Sequence, residues 1–536
     1  MKSKYLIILA AAASMFTSCD MDLSPVGQLD DQTAIQTLND AQRFRNGLYS
    51  NSRSFNTSGF FTIPELQADM FNGLVINGNR NGPIANGDVV PSNDEITAYW
   101  SLLFANIANC NYYLEVMPPL IEKAEADNDE ITLAKYKRFV GEAHFFRGYY
   151  YAMMFDRFCT IYSESKGDTE GLGLPIVTKW APTSNRDTYP GRSSMNVTLK
   201  FIDDELQAAL TAISEFEETG GELDTTNASD ISEILAPNSP YISSWGVRAI
   251  QARIALWTGK YQQALDLAQS IINCGIYTLA TASNYLTMWT RDSSTEVIYR
   301  PYMSSNELSN SIGGTWLGTE STQADYIPAS EVIADYKSMG MSGVGAARRY
   351  KDVRYSSFVE ERTLQSAFGD IATPCFVKFP GNPDLQRSSQ VNLMNMPKTL
   401  RLSEMYFIAM ESAMELGQED VAKELLNTYM TNRMSDGKVP ADATSATGAD
   451  LVEYIRTQRG LEFIGEGFRI SDLRRWHKGF NRASGAEYEN SAISPLITAA
   501  GLNVVYTSDD PRYTWPIPND ELVVNPQMAG QQNPGY

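Results

Sequence analysis

Apolar residues in the stretch Lys135–Phe158 fall at Tyr136, Val140, Ala143, Phe146, Tyr150 and Met153. A spacing of three or four predicts a helix of about six turns. Its second half is apolar on another face too, at Phe145, Tyr149 and Ala152. A helix apolar on more than one side needs neighbours on both flanks, and Gly141, Ala143, Gly148 and Ala152 leave room for them to come close. The stretch reads as the central pillar of a helical array. The same periodicity predicts helices over residues 35–50 (Ile35, Leu38, Ala41, Phe44, Leu48), Ile96–Met117 (Trp100, Phe104, Ile107, Tyr112, Leu114) and Val197–Phe216. A polar link, 121–131, returns the second of these onto the pillar.

A repeat decides the fold class. When Gly259 is aligned on Gly417, Ala255 meets Ala413, Leu256 meets Met414, Ala264 meets Ala422 and Leu267 meets Leu425. Trp245–Ile272 and Tyr406–Tyr429 each read as a helix, a tight glycine turn and a second helix with alanine near its start. Glycine ends the first helix where a positive φ is wanted, and the alanines sit where two antiparallel helices cross. This is the pattern of tetratricopeptide-type hairpins. Pairing the pillar with Val197–Phe216, and Ile96–Met117 with residues 35–50, gives a mainly α protein of about four hairpins.

Two regions break the helical pattern. Residues 51–94 are rich in Asn, Gly and Ser, and 275–398 scatter short apolar runs such as Val297–Tyr302 and Cys375–Phe379 among Gly, Ser, Asn and Pro. Loops and short strands are expected in both, and both are the ligand-facing parts, because binding residues concentrate on loops held by a rigid frame. Leu451–Trp476 places Arg456, Arg459, Glu462, Glu466, Arg469 and Asp472 three or four apart. Opposite charges along one helix face predict an ion-pair network, with Arg459 and Arg469 as partners of the two glutamates.

The 536 residues, 43% of them apolar, suffice for a large core, and no segment after the N-terminus is apolar over 18 residues. A net charge of −21 argues against nucleic acid, whose phosphates need clustered Lys and Arg. At the N-terminus, Lys2 and Lys4 precede the apolar run Tyr5–Ala13, and small residues lead to Cys19. Residues 1–18 read as a secretory signal and Cys19 as a lipidated mature N-terminus, with Phe16 departing from the usual aliphatic position of a lipoprotein box. Residues 19–40 then form a tether. Acyl chains contribute about 0.8 kcal/mol per buried methylene, enough to hold the protein at a bilayer with no spanning helix. Cys110, Cys159, Cys274 and Cys375 show no motif spacing and are expected as free thiols.

Catalysis finds little support. His144 and His477 are the only histidines, which rules out a histidine-rich metal site, and no HExxH, Walker or GxGxxG arrangement occurs. The acidic run Asp127–Glu130 lacks the spacing of a calcium loop. Among 64 acidic residues a close pair carries no weight as a glycosidase signature. No enzyme and no cofactor are expected.

Several stretches together resemble the SusD/RagB family of the Bacteroidetes: Cys19, the motif GEAHFFRGYYYAMMFDRF followed by Gly173-Leu174-Pro175, RAIQARIALWTGKYQQAL, RLSEMYFIAMESAM, the helix ending DLRRW, and the tail strings WPIP and QNPGY. The resemblance spans the mature chain, with an N-terminal helical region over 41–274 and a C-terminal region over 275–536 forming one unit. It implies a lipid-anchored, surface-exposed outer-membrane protein. Such a protein binds oligosaccharides, or peptides in the RagB branch, and hands them to a SusC-like, TonB-dependent barrel. The family has no sequence motif for ligand contacts. Flat rings suit the C–H face of a sugar, with amides and guanidinium groups beside them. Loop position therefore nominates Arg80, Trp100, Tyr302, Trp316 and Tyr326 as ligand-binding residues, with Trp316 following Gly313-Gly314, a flexible exposed setting. A surface glycoside hydrolase, or a helical scaffold without a small ligand, are the other readings.

Overall fold

The computed structural model describes residues 34–75, 82–318, 322–344, 348–388, 392–482, 488, 491–497 and 504–536. Its first helices are α1 (Leu38–Thr57), α2 (Gly59–Gln67), α3 (Asp94–Val116), α4 (Pro118–Ala126) and α5 (Glu130–Phe158). The pillar is α5. Asp129 caps its start by accepting the Thr132 N–H at 3.1 Å, and its apolar rings are buried on more than one side, as the pattern requires. The next helix, α6 (Met195–Leu223), lies along it at the small residues. A Cβ on Gly141 would sit 2.8 Å from the Ala212 Cβ, and one on Gly148 3.1 Å from that of Glu205. Gly141→Val is expected to lower stability by about 1–3 kcal/mol, because the Ala212 methyl cannot swing away. The urea midpoint reports it.

The hairpins form as the repeat predicts. After α7 (Thr225–Ile234) come α8 (Ser244–Trp257) and α9 (Tyr261–Ile272); farther on, α11 (Leu402–Glu415) and α12 (Glu419–Thr431) follow α10 (Ser330–Ser338). Gly259 and Gly417 both take φ +71°. In each turn the next N–H reaches back to the corresponding alanine, Lys260 to Ala255 at 2.9 Å and Gln418 to Ala413 at 2.7 Å, which satisfies the helix's last carbonyls. Helix α9 packs on α11, and α8 on α6, so the pairs stack into one array. The first pair meets through Phe44 stacked on Tyr113, 5.2 Å between centroids.

Three expectations change. Residues 51–67 are not loop: α1 runs on to Thr57 and α2 follows. Their polar residues disguise them, because Arg53, Asn56 and Thr57 are buried against other polar groups rather than solvated. The link 121–131 is partly helical: α4 runs into it as far as Ala126, with Pro118 and Pro119 in the first turn, where no N–H is needed. The third change concerns the charged helix, which is broken: α13 (Gly448–Phe463) stops, Gly465 and Gly467 turn the chain at φ +79° and +84°, and α14 (Arg469–Arg475) begins.

The ion-pair network exists, but across elements rather than along one face. Glu462 receives Arg401 at 2.7 Å and Arg433 at 3.1 Å, whereas Glu466 is held by Lys378 and Arg401, both at 2.6 Å. Arg459 instead meets Asp472 at 2.7 Å, and Arg469 meets Asp69 at 2.7 Å. Glu296 completes the box with Arg401 at 2.8 Å and Arg433 at 3.0 Å. Longer ties join the two ends of the chain: Arg253 to Glu404 at 2.7 Å and Arg474 to Asp156 at 3.0 Å.

Glu65, fully buried on α2, accepts the backbone N–H groups of Gly465 at 3.1 Å and Arg469 at 3.2 Å. Burial pushes its carboxyl up to about 7 against those two donors. The folded state therefore holds this proton more tightly than the unfolded chain. Its contribution is fully present below about pH 4.5 and is lost as pH rises to about 7. In Glu65→Gln, urea midpoints measured across that window are expected to lose this slope.

The 275–398 region builds a second core around Trp289, Trp316, Phe358 and Phe376. Its strands are short, as expected. β1 (Phe71–Gly73) pairs with β3 (Tyr326–Pro328), and β2 (Val297–Tyr299) with β6 (Leu400–Arg401). The longest ladder is the hairpin of β4 (Val359–Ser366) and β5 (Gly369–Phe376). Cys110, Cys159, Cys274 and Cys375 are free. Among the described residues no helix is long and apolar enough to cross a membrane.

Candidate ligand-binding cleft

Asn46, Tyr49, Ser50 and Arg53 share one face of α1, at a spacing of three and four residues. That face meets Glu233 at the end of α7, Pro240 and Tyr241 ahead of α8, and Tyr302 and Glu307 just beyond β2. They enclose about 270 Å³, near the lower end of the roughly 300–1,000 Å³ range of small-molecule sites. Tyr302 is 51% exposed, a ring presented to solvent at the rim.

Arg53 fixes that rim. Its Nη1 donates to the Tyr302 carbonyl at 3.0 Å and to Glu307 Oε1 at 2.7 Å, and its Nη2 donates to Ser50 Oγ at 2.9 Å. One helical turn on, Thr57 and Ser309 share a hydroxyl bond at 2.8 Å. The loop carrying Tyr302 is therefore held to α1 before any ligand arrives. The opposite wall is equally set: Tyr241 stands edge-on to Tyr49 at 5.5 Å, and Tyr49 Oη accepts the Ile242 N–H at 3.1 Å.

Beneath these rings lies a buried charge cluster. The Arg45 guanidinium is 4.5 Å from the Tyr241 centroid and 5.0 Å from that of Tyr49. Glu142 on α5 accepts Arg45 Nη2 at 2.7 Å and Arg138 Nε at 3.2 Å. Burial pushes the Glu142 carboxyl up, but the two guanidiniums outweigh it and hold the group below its ordinary range. Cation over ring, and carboxylate under cation, leave Tyr241 little freedom to turn.

Such a cleft offers rings, an amide, hydroxyls and carboxylates: it can stack and hydrogen-bond. Both histidines are elsewhere, His144 2.9 Å from Glu205 and His477 2.7 Å from Asp509. Among the described residues no group of three or more His, Cys, Asp or Glu could hold a metal ion. A wider groove of about 490 Å³ runs between Phe104, Ile176 and Tyr189. Its carboxylate and amide serve the protein itself, Glu521 accepting Trp100 Nε1 at 3.2 Å and Asn525 donating to the Pro190 carbonyl at 2.9 Å. What sets the Tyr302 cleft apart as the candidate site is the half-exposed tyrosine ring at its rim.

Of the four nominated residues that the structure describes, it brings Tyr302 alone to this cleft. Trp100 is 3% exposed and edge-on to Phe158 at 4.9 Å in the main core. Trp316 is wholly buried, stacked on Phe71 at 4.1 Å, with Tyr326 edge-on to it at 6.3 Å. These three rings pack the interior and are corrected from ligand contacts to core. Gly313 explains the misreading: a Cβ there would sit 2.2 Å from the Phe379 carbonyl oxygen, so this glycine permits close packing rather than flexibility. Arg80 and Cys19 lie outside the described residues. Sequence reasoning missed Tyr49, Arg53, Tyr241 and Glu307. Continuing the helical period of residues 35–50 by one turn would have placed Arg53 on the face of Tyr49.

Fold and cleft define a helical-repeat binding protein. Known proteins agree. A family model described as the SusD family matches residues 372–536, and one described as starch-binding, associating with the outer membrane, matches 30–228. SusD-like protein P38 of Formosa agariphila is 21% identical over 99% of this chain and 98% of its own. A SusD superfamily protein from Bacteroides thetaiotaomicron superposes with a TM-score of 0.72 at 21% identity, over 93% of this chain and all of the other. A laminarin-binding SusD-like protein does so at 0.62 and 18%, over 93% and 99%. The chain belongs to the SusD-like family.

Proposed function

We propose that the protein captures oligosaccharides at the Tyr302 cleft, on the cell surface, and delivers them to a SusC-like, TonB-dependent transporter of the outer membrane. The observation that carries this reading is the exposed Tyr302 ring, clamped through its own carbonyl by Arg53 and facing the polar side chains of Asn46 and Glu233 in the same cleft. A flat ring with fixed polar neighbours complements a pyranose, whose C–H face is apolar and whose edge is all hydroxyl. The matched family description names starch and the outer membrane, and one neighbour of the same fold binds laminarin. Anchoring falls to acyl chains on Cys19.

The purified protein is to be titrated against panels of glycans and of peptides, and the full chain recovered from outer membranes with its partners. Glycan binding, acylation at Cys19 and a co-purifying barrel are expected. Peptide binding without glycan binding would move the protein to the peptide-binding branch. A soluble chain with neither ligand nor barrel would sink the proposal.

A further inference from the structure

We infer, resting on the glycan reading above, that the cleft selects neutral oligosaccharides and turns away those bearing uronate or sulfate groups. Among the described residues, Arg53 is the one basic residue lining the cleft. Both of its terminal nitrogens are already engaged, by Glu307, the Tyr302 carbonyl and Ser50. Two acidic residues share the walls with it: Glu307 and the exposed Glu233. The cations underneath are spent in the same way. Arg45 and Arg138 divide Glu142 between them, and Arg138 also faces Asp230 at 3.6 Å.

Counting the groups that line the cleft or pair beneath it, three guanidiniums stand against four carboxylates, an excess of one negative charge. An acidic sugar entering here sheds water from its own charge and finds no free cation in exchange. A neutral sugar meets no such cost, since rings, Asn46 and Ser50 offer it stacking and hydrogen bonds. At long range the net charge of −21 acts in the same sense, repelling polyanions before contact.

The test compares a neutral glucan oligosaccharide with an oligogalacturonate of equal length, by calorimetric titration at low and at physiological salt. The neutral ligand is expected to bind at least about tenfold more tightly, with little salt dependence. The residual affinity for the acidic ligand should rise with salt, because screening weakens repulsion. In the double variant Glu233→Gln, Glu307→Gln, which removes both wall carboxylates and leaves the Arg53 charge without a countercharge in the cleft, the gap should narrow. Equal or tighter binding of the oligogalacturonate, or binding that weakens as salt is added, overturns the selectivity. Failure of every glycan, neutral and acidic alike, instead overturns the glycan reading, and the inference with it.

Discussion

Glu462→Ala is expected to cost about 3–5 kcal/mol of stability, the penalty for leaving buried charge without its partner. Arg401 and Arg433 converge on this carboxylate from different segments, and Tyr285 and Tyr429 donate their hydroxyls to it at 3.0 and 2.5 Å. All five side chains are buried. Removing the carboxylate strands two buried guanidiniums and two buried phenols without their shared acceptor. Against a typical total of roughly 5–15 kcal/mol, the variant should accumulate poorly and show a sharply lower urea midpoint. The exposed pair Lys200–Asp204, 2.7 Å apart, is the contrast: Asp204→Ala should change the midpoint by less than about 0.5 kcal/mol. An equal effect of both would refute the network's role. The pH response has a definite sign. Burial raises the Glu462 carboxyl, but Arg433 and Arg401 hold it well below its ordinary value of 4.5. Its contribution is therefore present above that pH and fades as acid reaches the lower folded value.

The second large effect concerns binding. Tyr302→Ala removes the ring at the rim while leaving intact the Tyr302 carbonyl that Arg53 holds. The fold should be undisturbed, since the side chain is half exposed. Affinity for a bound glycan should fall by about 2 kcal/mol, roughly thirtyfold, as for an aromatic anchor. Tyr302→Phe, which keeps the ring, should retain most of it. The paired result separates stacking from hydrogen bonding: if the phenylalanine variant fails as badly as the alanine one, the hydroxyl and not the ring is the grip.

How much of this was legible in the sequence follows from which signals are local. The pillar announces itself because apolar spacing and small residues occur within one helix. Gly259 and Gly417 announce the hairpins because a left-handed turn demands glycine in each copy. The cleft is harder, since Tyr49, Tyr241 and Tyr302 come from three segments joined only by folding. Polarity then misled twice. Arg53, Asn56 and Thr57 looked like loop although they are the buried, hydrogen-bonded end of α1. Gly313 and Gly314 looked like a flexible setting for Trp316, although Gly313 lies against a neighbouring backbone. In Leu451–Trp476 the charges were legible and their partners were not, because Arg401, Arg433 and Lys378 lie far off in sequence.

The central charge box has a consequence for how the molecule comes apart. Glu296, Arg401, Arg433 and Glu462 arise from four places along the chain, and Arg253 and Asp156 reach across to Glu404 and Arg474. Any cut between the two matched regions parts Asp156 from Arg474, and one beyond Glu296 also parts Arg253 from Glu404 and Glu296 from its two guanidiniums. A cut there should yield two halves that neither hold shape alone nor survive proteolysis, and heating the intact protein should melt both regions in one cooperative step.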